Sequence, residues 1–147
     1  MCVLRASGID FDVERFLAAS AIQPCDVSRK GEPRLPASQP EGRKHAASGF
    51  TADVSTMDWD DLPGQIADAM RFLAEHKNDL ELLRAFPGVQ HLALDFPIHL
   101  RIGTNNIVVQ TDRFPSDLLL AAGALGIDLA LTIWPRPTTE SDTEGTG

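Results

Sequence analysis

The sequence predicts an α+β fold: a single two-layer domain with an approximately five-stranded mixed or antiparallel sheet and three main helices on one face. Three observations carry this. Apolar residues recur in blocks at strand and at helix spacing, in the order β-α-β-α-(α)-β-β-α-β. Leu92, Leu94, Phe96, Ile98, Leu100 and Ile102 are apolar at every even position, while His91, Asp95, His99 and Arg101 are polar at odd ones. That strand therefore has one face in the core and one in water. The turn from Gly103 to Asn106, followed by Ile107, Val109 and Thr111, reads as a hairpin, which excludes a fully parallel sheet.

The elements follow in order. Cys2, Leu4 and Ala6 alternate with Val3, Arg5 and Ser7 in a first strand that Gly8 ends. Asp12 is placed to cap a helix carrying Val13, Phe16 and Leu17, and Phe11 and Phe16 fall at the positions of a hydrophobic staple. The helix fades near Ser20, and Pro24 stops it. Phe50, Ala52 and Val54 alternate into a second strand. Asp58, Asp60 and Asp61 surround Trp59 just before a helix, where negative charge favours the positive helix end. Pro63 suits its first turn, and Leu62, Ile66, Ala69, Met70 and Leu73 mark its buried face. The pattern breaks at His76 and Lys77. Asn78 with Glu81 matches a capping box, so a second short helix is expected over Asp79–Phe86, ended by Pro87-Gly88. Pro97 has no N–H and demands an edge, a bulge or a break in the long strand. Pro115 opens the last helix, buried through Leu118, Leu119, Ala122 and Leu125, and Gly126 suits its C-terminal turn. Ile127, Leu129, Leu131 and Ile133 form the last strand, with Trp134 expected in the core.

The 147 residues match one domain. With 43% hydrophobic and 23% charged residues, a wholly disordered chain, a collagen-like fibre and a disulfide-built miniature are excluded. The domain is expected over 1–135, with a flexible acidic tail over 136–147. Ser28 to Ser48 stands apart: it carries Pro33, Pro36 and Pro40 and five basic residues against two acidic ones, leaving eight basic against nineteen acidic elsewhere. The segment is thus +3 and the body −11. A connection of this length is either a binding loop or a solvated insertion. No cationic leader with an apolar run opens the chain, and no stretch reaches the roughly 18 apolar residues of a spanning helix. A cytoplasmic protein without a membrane partner is expected. The net charge of −8 disfavours nonspecific nucleic-acid binding. Cys2 and Cys25 are expected as free thiols in a reducing compartment rather than as a disulfide.

No G-x-S-x-G, Walker A, G-x-G-x-x-G, H-E-x-x-H or C-x-x-C occurs, so no catalytic residue, cofactor or metal is assigned. His91, Asp95 and His99 share a strand face, but His91 and His99 lie on the order of 27 Å apart on a straight strand, too far for one ion. Asp58, Asp60 and Asp61 lack a calcium-loop glycine, and helix initiation explains them more simply. Trp59 is either an interface anchor or a cover for the core edge. Arg5 either makes a salt bridge on the open sheet face or points to a cleft beside the basic loop.

The run SG-x-D-F-D from Ser7 to Asp12 closes a first strand; Pro24 in IQPCDV and Arg29-Lys30-Gly31 follow, and LGIDLALTIW spans Leu125 to Trp134 after Phe114-Pro115. This pattern resembles a family of small bacterial domains of unknown function that carry an SG-x-D-x-D and RKG opening, some of them like immunity proteins encoded beside polymorphic toxins. The resemblance covers about residues 2 to 135. It implies an α+β fold and a protein-binding role, and brings no catalytic residues. The chain departs from the pattern in its proline-rich insertion after Arg34 and in Phe114, where a capping Ser or Asp is common.

Two functions of different class follow. The first is a non-catalytic protein-binding module, immunity-protein-like, with Asp58, Trp59, Asp60 and Asp61 as contact residues for a basic protein such as a toxin. The second is a sensor or enzyme for a small anionic ligand held by Arg5, Arg29, Lys30 and Arg34, since arginine suits bidentate recognition of phosphate or carboxylate.

Overall fold

The computed structural model describes residues 1–137. Five strands, β1 (Val3–Gly8), β2 (Asp26–Ser28), β3 (Ser48–Asp53), β4 (His91–His99) and β5 (Asp128–Trp134), form one sheet in the order β2-β3-β1-β4-β5. Helices α1 (Val13–Ala18), α2 (Leu62–Glu75), α3 (Lys77–Ala85) and α4 (Ser116–Ala124) pack on one face of it. All neighbouring strands are antiparallel except β4 and β5, which are parallel. The sheet is therefore mixed and the fold α+β. No helix among the described residues is long and apolar enough to cross a membrane.

In β1, β3 and β4 the even-numbered residues form the core side. Leu4, Ala6, Phe50, Ala52, Leu92, Leu94, Phe96 and Ile98 are all buried. Asp12 caps α1, its Oδ1 accepting from the Arg15 N–H at 3.2 Å. That cap orients Phe16 to stack on Phe50 of β3, with ring centroids 5.6 Å apart, while Phe86 meets both Phe11 and Phe16 edge-on. Asp61 caps α2 through the Gly64 N–H at 2.9 Å. Two glycines join the ends of this layer. A Cβ on Gly8, at the end of β1, would collide with the Gly88 carbonyl, and Gly88 itself takes φ +87° against Asp10.

Several expectations need correction. No return strand forms over Ile107–Thr111. The turn closes through the Gly103 N–H on the Ile107 carbonyl, but the Arg101 N–H is taken by the Gln110 side chain at 2.8 Å. The edge of β4 that a hairpin strand would need is occupied by β5, which arrives through the α4 crossover. The alternating residues beyond the turn then have no ladder, and Val108 and Val109 are exposed. β4 correspondingly ends at His99, leaving Leu100 and Ile102 exposed. Short β2 had no sequence signal: only three residues pair, and Val27 is the one large apolar residue among them. It supplies the antiparallel partner of β3 across the long loop, which is pinned by bonds such as Gly31 N–H to His45 O and Arg34 N–H to Arg43 O. Helix α3 begins at Lys77 without a side-chain cap rather than after Asn78. Leu119 on α4 is exposed. Of the tail expected over 136–147, the part beyond Pro137 lies outside the described residues.

Pro97 has a specific reason. Odd residues of β4 direct their backbone groups towards β1, because the even Leu100 N–H points the other way, to the Trp134 carbonyl at 2.8 Å. Pairing with β1 stops at Asp95, so a missing N–H at Pro97 costs no ladder bond. Its carbonyl accepts from Gln65 Nε2 at 2.9 Å instead.

Neither cysteine is in a disulfide. Burial, and the Asp95 charge after it, push the Cys2 thiol up to about 12. Burial and neighbouring Asp53 also raise the Cys25 thiol, although the residue is exposed. Since the thiolate is the reacting form, a thiol reagent at pH 8 should label one equivalent slowly, at Cys25, in the native protein. A second should appear only in denaturant. Two rapid equivalents in buffer would show that Cys2 is not held in the core.

Candidate functional site

β3, β4 and β5 all run in one direction, so their C-terminal ends gather at one end of the sheet. The segment between β3 and α2 crosses this end. It leaves β3 with the Val54 and Ser55 N–H groups on the Cys2 carbonyl, at 2.9 and 3.1 Å, and reaches Trp59, whose carbonyl accepts from the His99 N–H at 3.3 Å. The segment thereby takes the place of β1 beside the last residues of β4. Gln65 fastens it from below, donating Nε2 to the Asp58 carbonyl at 3.2 Å.

The register of β4 with β5 sets His99 beside Trp134 on the open face. Trp59 stacks on Trp134 with centroids 5.6 Å apart and planes 25° from parallel, and lies 5.2 Å from the His99 ring. Trp59 is half-buried, while Trp134 is 47% exposed. Trp134 is thus not a core residue: it lies on the open face of the sheet, away from the helices, at the end of the outermost strand. Asp60 sits between two cations or potential cations. His99 Nδ1 lies 3.2 Å from its Oδ1, and Arg136 grips both oxygens, at 3.2 and 2.5 Å. The bond from Arg136, supported by that from His99, holds the Asp60 carboxyl below its ordinary range despite slight burial. Asp58 and Asp61 face solvent; Asp58 Oδ1 accepts from the Asp60 N–H at 2.8 Å, and Asp61 is the α2 cap.

Among the described residues, Asp58, Asp60 and His99 each offer a ligand atom within 4.8 Å of one another. The guanidinium of Arg136 already supplies positive charge to that carboxylate. A cleft of about 330 Å³ adjoins, between the first turn of α2 and the chain after β4, with Asp60, Arg101, Thr111, Asp112 and Arg113 on its walls. Arg101 pairs with Asp112 at 2.8 Å. Burial pushes the Asp112 carboxyl up, but the bonds from Gln110 and Arg101 outweigh it, and the group titrates below its ordinary value.

The four contact residues expected from the sequence thus lie together at this end. The four basic candidates are engaged separately. Arg5 is on the open face and pairs with Asp95 at 3.3 Å. Arg29 bonds Glu14 of α1, on the opposite face, and reaches Glu32 at 3.9 Å. Lys30 and Arg34 belong to the long loop, held by the Ser48 hydroxyl and by the Arg43 carbonyl through their backbone N–H groups. Sequence reasoning missed His99, Trp134 and Arg136 as members of the site. The available signal was the order strand, helix, strand after Pro97, which as a crossover makes β5 parallel to β4 and sets Trp134 beside His99.

Comparison of the chain with family models, with curated proteins and with solved structures found no match.

Proposed function

We propose that this protein is a non-catalytic binding module of the immunity-protein kind, which covers a basic partner with the aromatic and acidic end of its sheet. The observation that carries this reading is the Trp59–Trp134 stack, partly exposed and rimmed by Asp58, Asp60 and Asp61. Tryptophan supplies a large contact at small entropy cost, and interface energy concentrates on such anchors. The acidic body steers a basic groove towards it and needs no chemistry of its own to occlude that groove. Arg136 and His99 keep Asp60 charged and fixed, so little is spent ordering it on association.

The test is affinity capture with the full chain, followed by binding kinetics on the recovered partner. A basic protein is expected, with an association rate that falls steeply as salt rises. Trp59→Ala combined with Asp60→Ala should weaken the complex by about 2 kcal/mol or more, roughly 30-fold. Recovery of a phosphorylated metabolite, lost on Arg29→Ala or Arg34→Ala, would overturn this reading in favour of a small anionic ligand.

A further inference from the structure

The outer edge of β5 differs from the other edge of the sheet. β2 is three residues long, and the basic loop continues from it. β5 is seven residues long and contains no lysine, proline or glycine, the devices that normally blunt an edge. The Trp134 carbonyl faces β4, where it accepts from the Leu100 N–H. Backbone direction alternates along a strand, so Asp128, Ala130 and Thr132 face β4 as well, and Leu129, Leu131 and Ile133 turn their N–H and C=O groups outward. Among the described residues none pairs with them. The side chains tell the same story. Leu131 and Ile133 belong to the helix-facing side in the register with Phe96 and Ile98, yet they are 38% and 50% exposed. On neighbouring α4, Leu120 is 76% exposed.

We infer that this edge is where a second copy of the chain adds, β5 against β5 in antiparallel fashion about a two-fold axis at Leu131, giving one continuous sheet of ten strands. The strand is self-complementary about that residue. Leu131 meets Leu131, Leu129 meets Ile133, Ala130 meets Thr132, and Asp128 meets Trp134. The three outward-facing positions fall opposite one another as hydrogen-bonded pairs, so about six backbone bonds form without a change of register. Charge agrees with this arrangement. Asp128 is the only charged residue of β5, and in the pair it lies opposite Trp134 rather than opposite the second Asp128, so no like charges meet directly across the junction. Leu119 and Leu120 of α4 are also exposed, so the uncovered apolar surface is not confined to β5. The proposal does not depend on the partner-binding reading of the sheet end.

Sedimentation of the full chain should give twice the chain mass at micromolar concentration. Leu131→Lys brings two lysines together at the axis and should give a monomer whose circular dichroism matches the parent. A second arm covers the case in which that variant fails to fold. In a Cys25→Ser background, Leu131→Cys should form a disulfide-linked dimer on mild oxidation, because a hydrogen-bonded antiparallel pair sets the Cα atoms about 5.5 Å apart, within disulfide reach. Leu129→Cys, which is not opposite itself, should not cross-link. A parent chain that stays monomeric into the millimolar range overturns the inference. So does a dimer that survives Leu131→Lys, or one that cross-links through position 129 rather than 131.

Discussion

Leu94→Ala should lower the unfolding free energy by about 2–5 kcal/mol, read as a fall in the denaturant midpoint with little change in slope. Leu94 is fully buried. It stands in mid-sheet, with Leu4 of β1 on one side and Leu129 of β5 on the other. Truncation would remove contacts to both strands and to the helix layer, and the site has little room to collapse because its neighbours belong to regular elements. The paired control is His91→Ala, exposed on the opposite face of the same strand, which should stay within about 0.5 kcal/mol of the parent. If His91→Ala proved the costlier change, the register of β4 would be displaced by one residue, and every facial assignment in the sheet with it.

Gly8→Ala should be at least as damaging, by about 3 kcal/mol or more, and should reduce soluble yield. The added methyl would enter the space of the Gly88 carbonyl. A side chain could turn away from such a clash, but the carbonyl belongs to backbone that is bonded in place: the Gln90 N–H donates to the Ser7 carbonyl at 2.9 Å. Relief therefore requires the turn before β4 to separate from the end of β1, which would break the antiparallel pair at its outer end. Thermal unfolding of the variant checks this. An unchanged midpoint would mean that the two turns do not touch.

The core was legible in the sequence because its signals are local. Even positions of β4, the Asp12 cap, the Phe11 and Phe16 staple and the helix-facing residues of α2 can each be found within about ten residues of chain. The site was legible only in part. Asp58 to Asp61 are contiguous and could be picked out together. His99 and Arg136 reach Asp60 from 39 and 76 residues away, and no periodicity encodes that meeting. It follows from the parallel placement of β5, and the turn at Gly103 to Asn106 concealed that placement. The turn is real, with Asn105 and Asn106 in the left-handed region, but turn chemistry does not fix whether the returning chain finds a free strand to pair with. Trp134 is even-numbered in a strand whose odd residues Leu129, Leu131 and Ile133 face the helices, so alternation alone sets it on the open face rather than in the core.

The position of β1 has a consequence for how the chain is made. β1 is the middle strand of the sheet, yet its partners β3 and β4 begin 45 and 88 residues later. At ribosomal speeds of about 5–20 residues per second, β1 waits roughly 4–18 s after synthesis for β4. β3 can pair with β1 halfway through that interval, but the other edge of β1 stays open until β4 is made. Closure of the sheet around β1 is paced by translation up to β4, so synonymous changes that slow the ribosome between β3 and β4 would lengthen the period in which one edge of an apolar strand is without a partner.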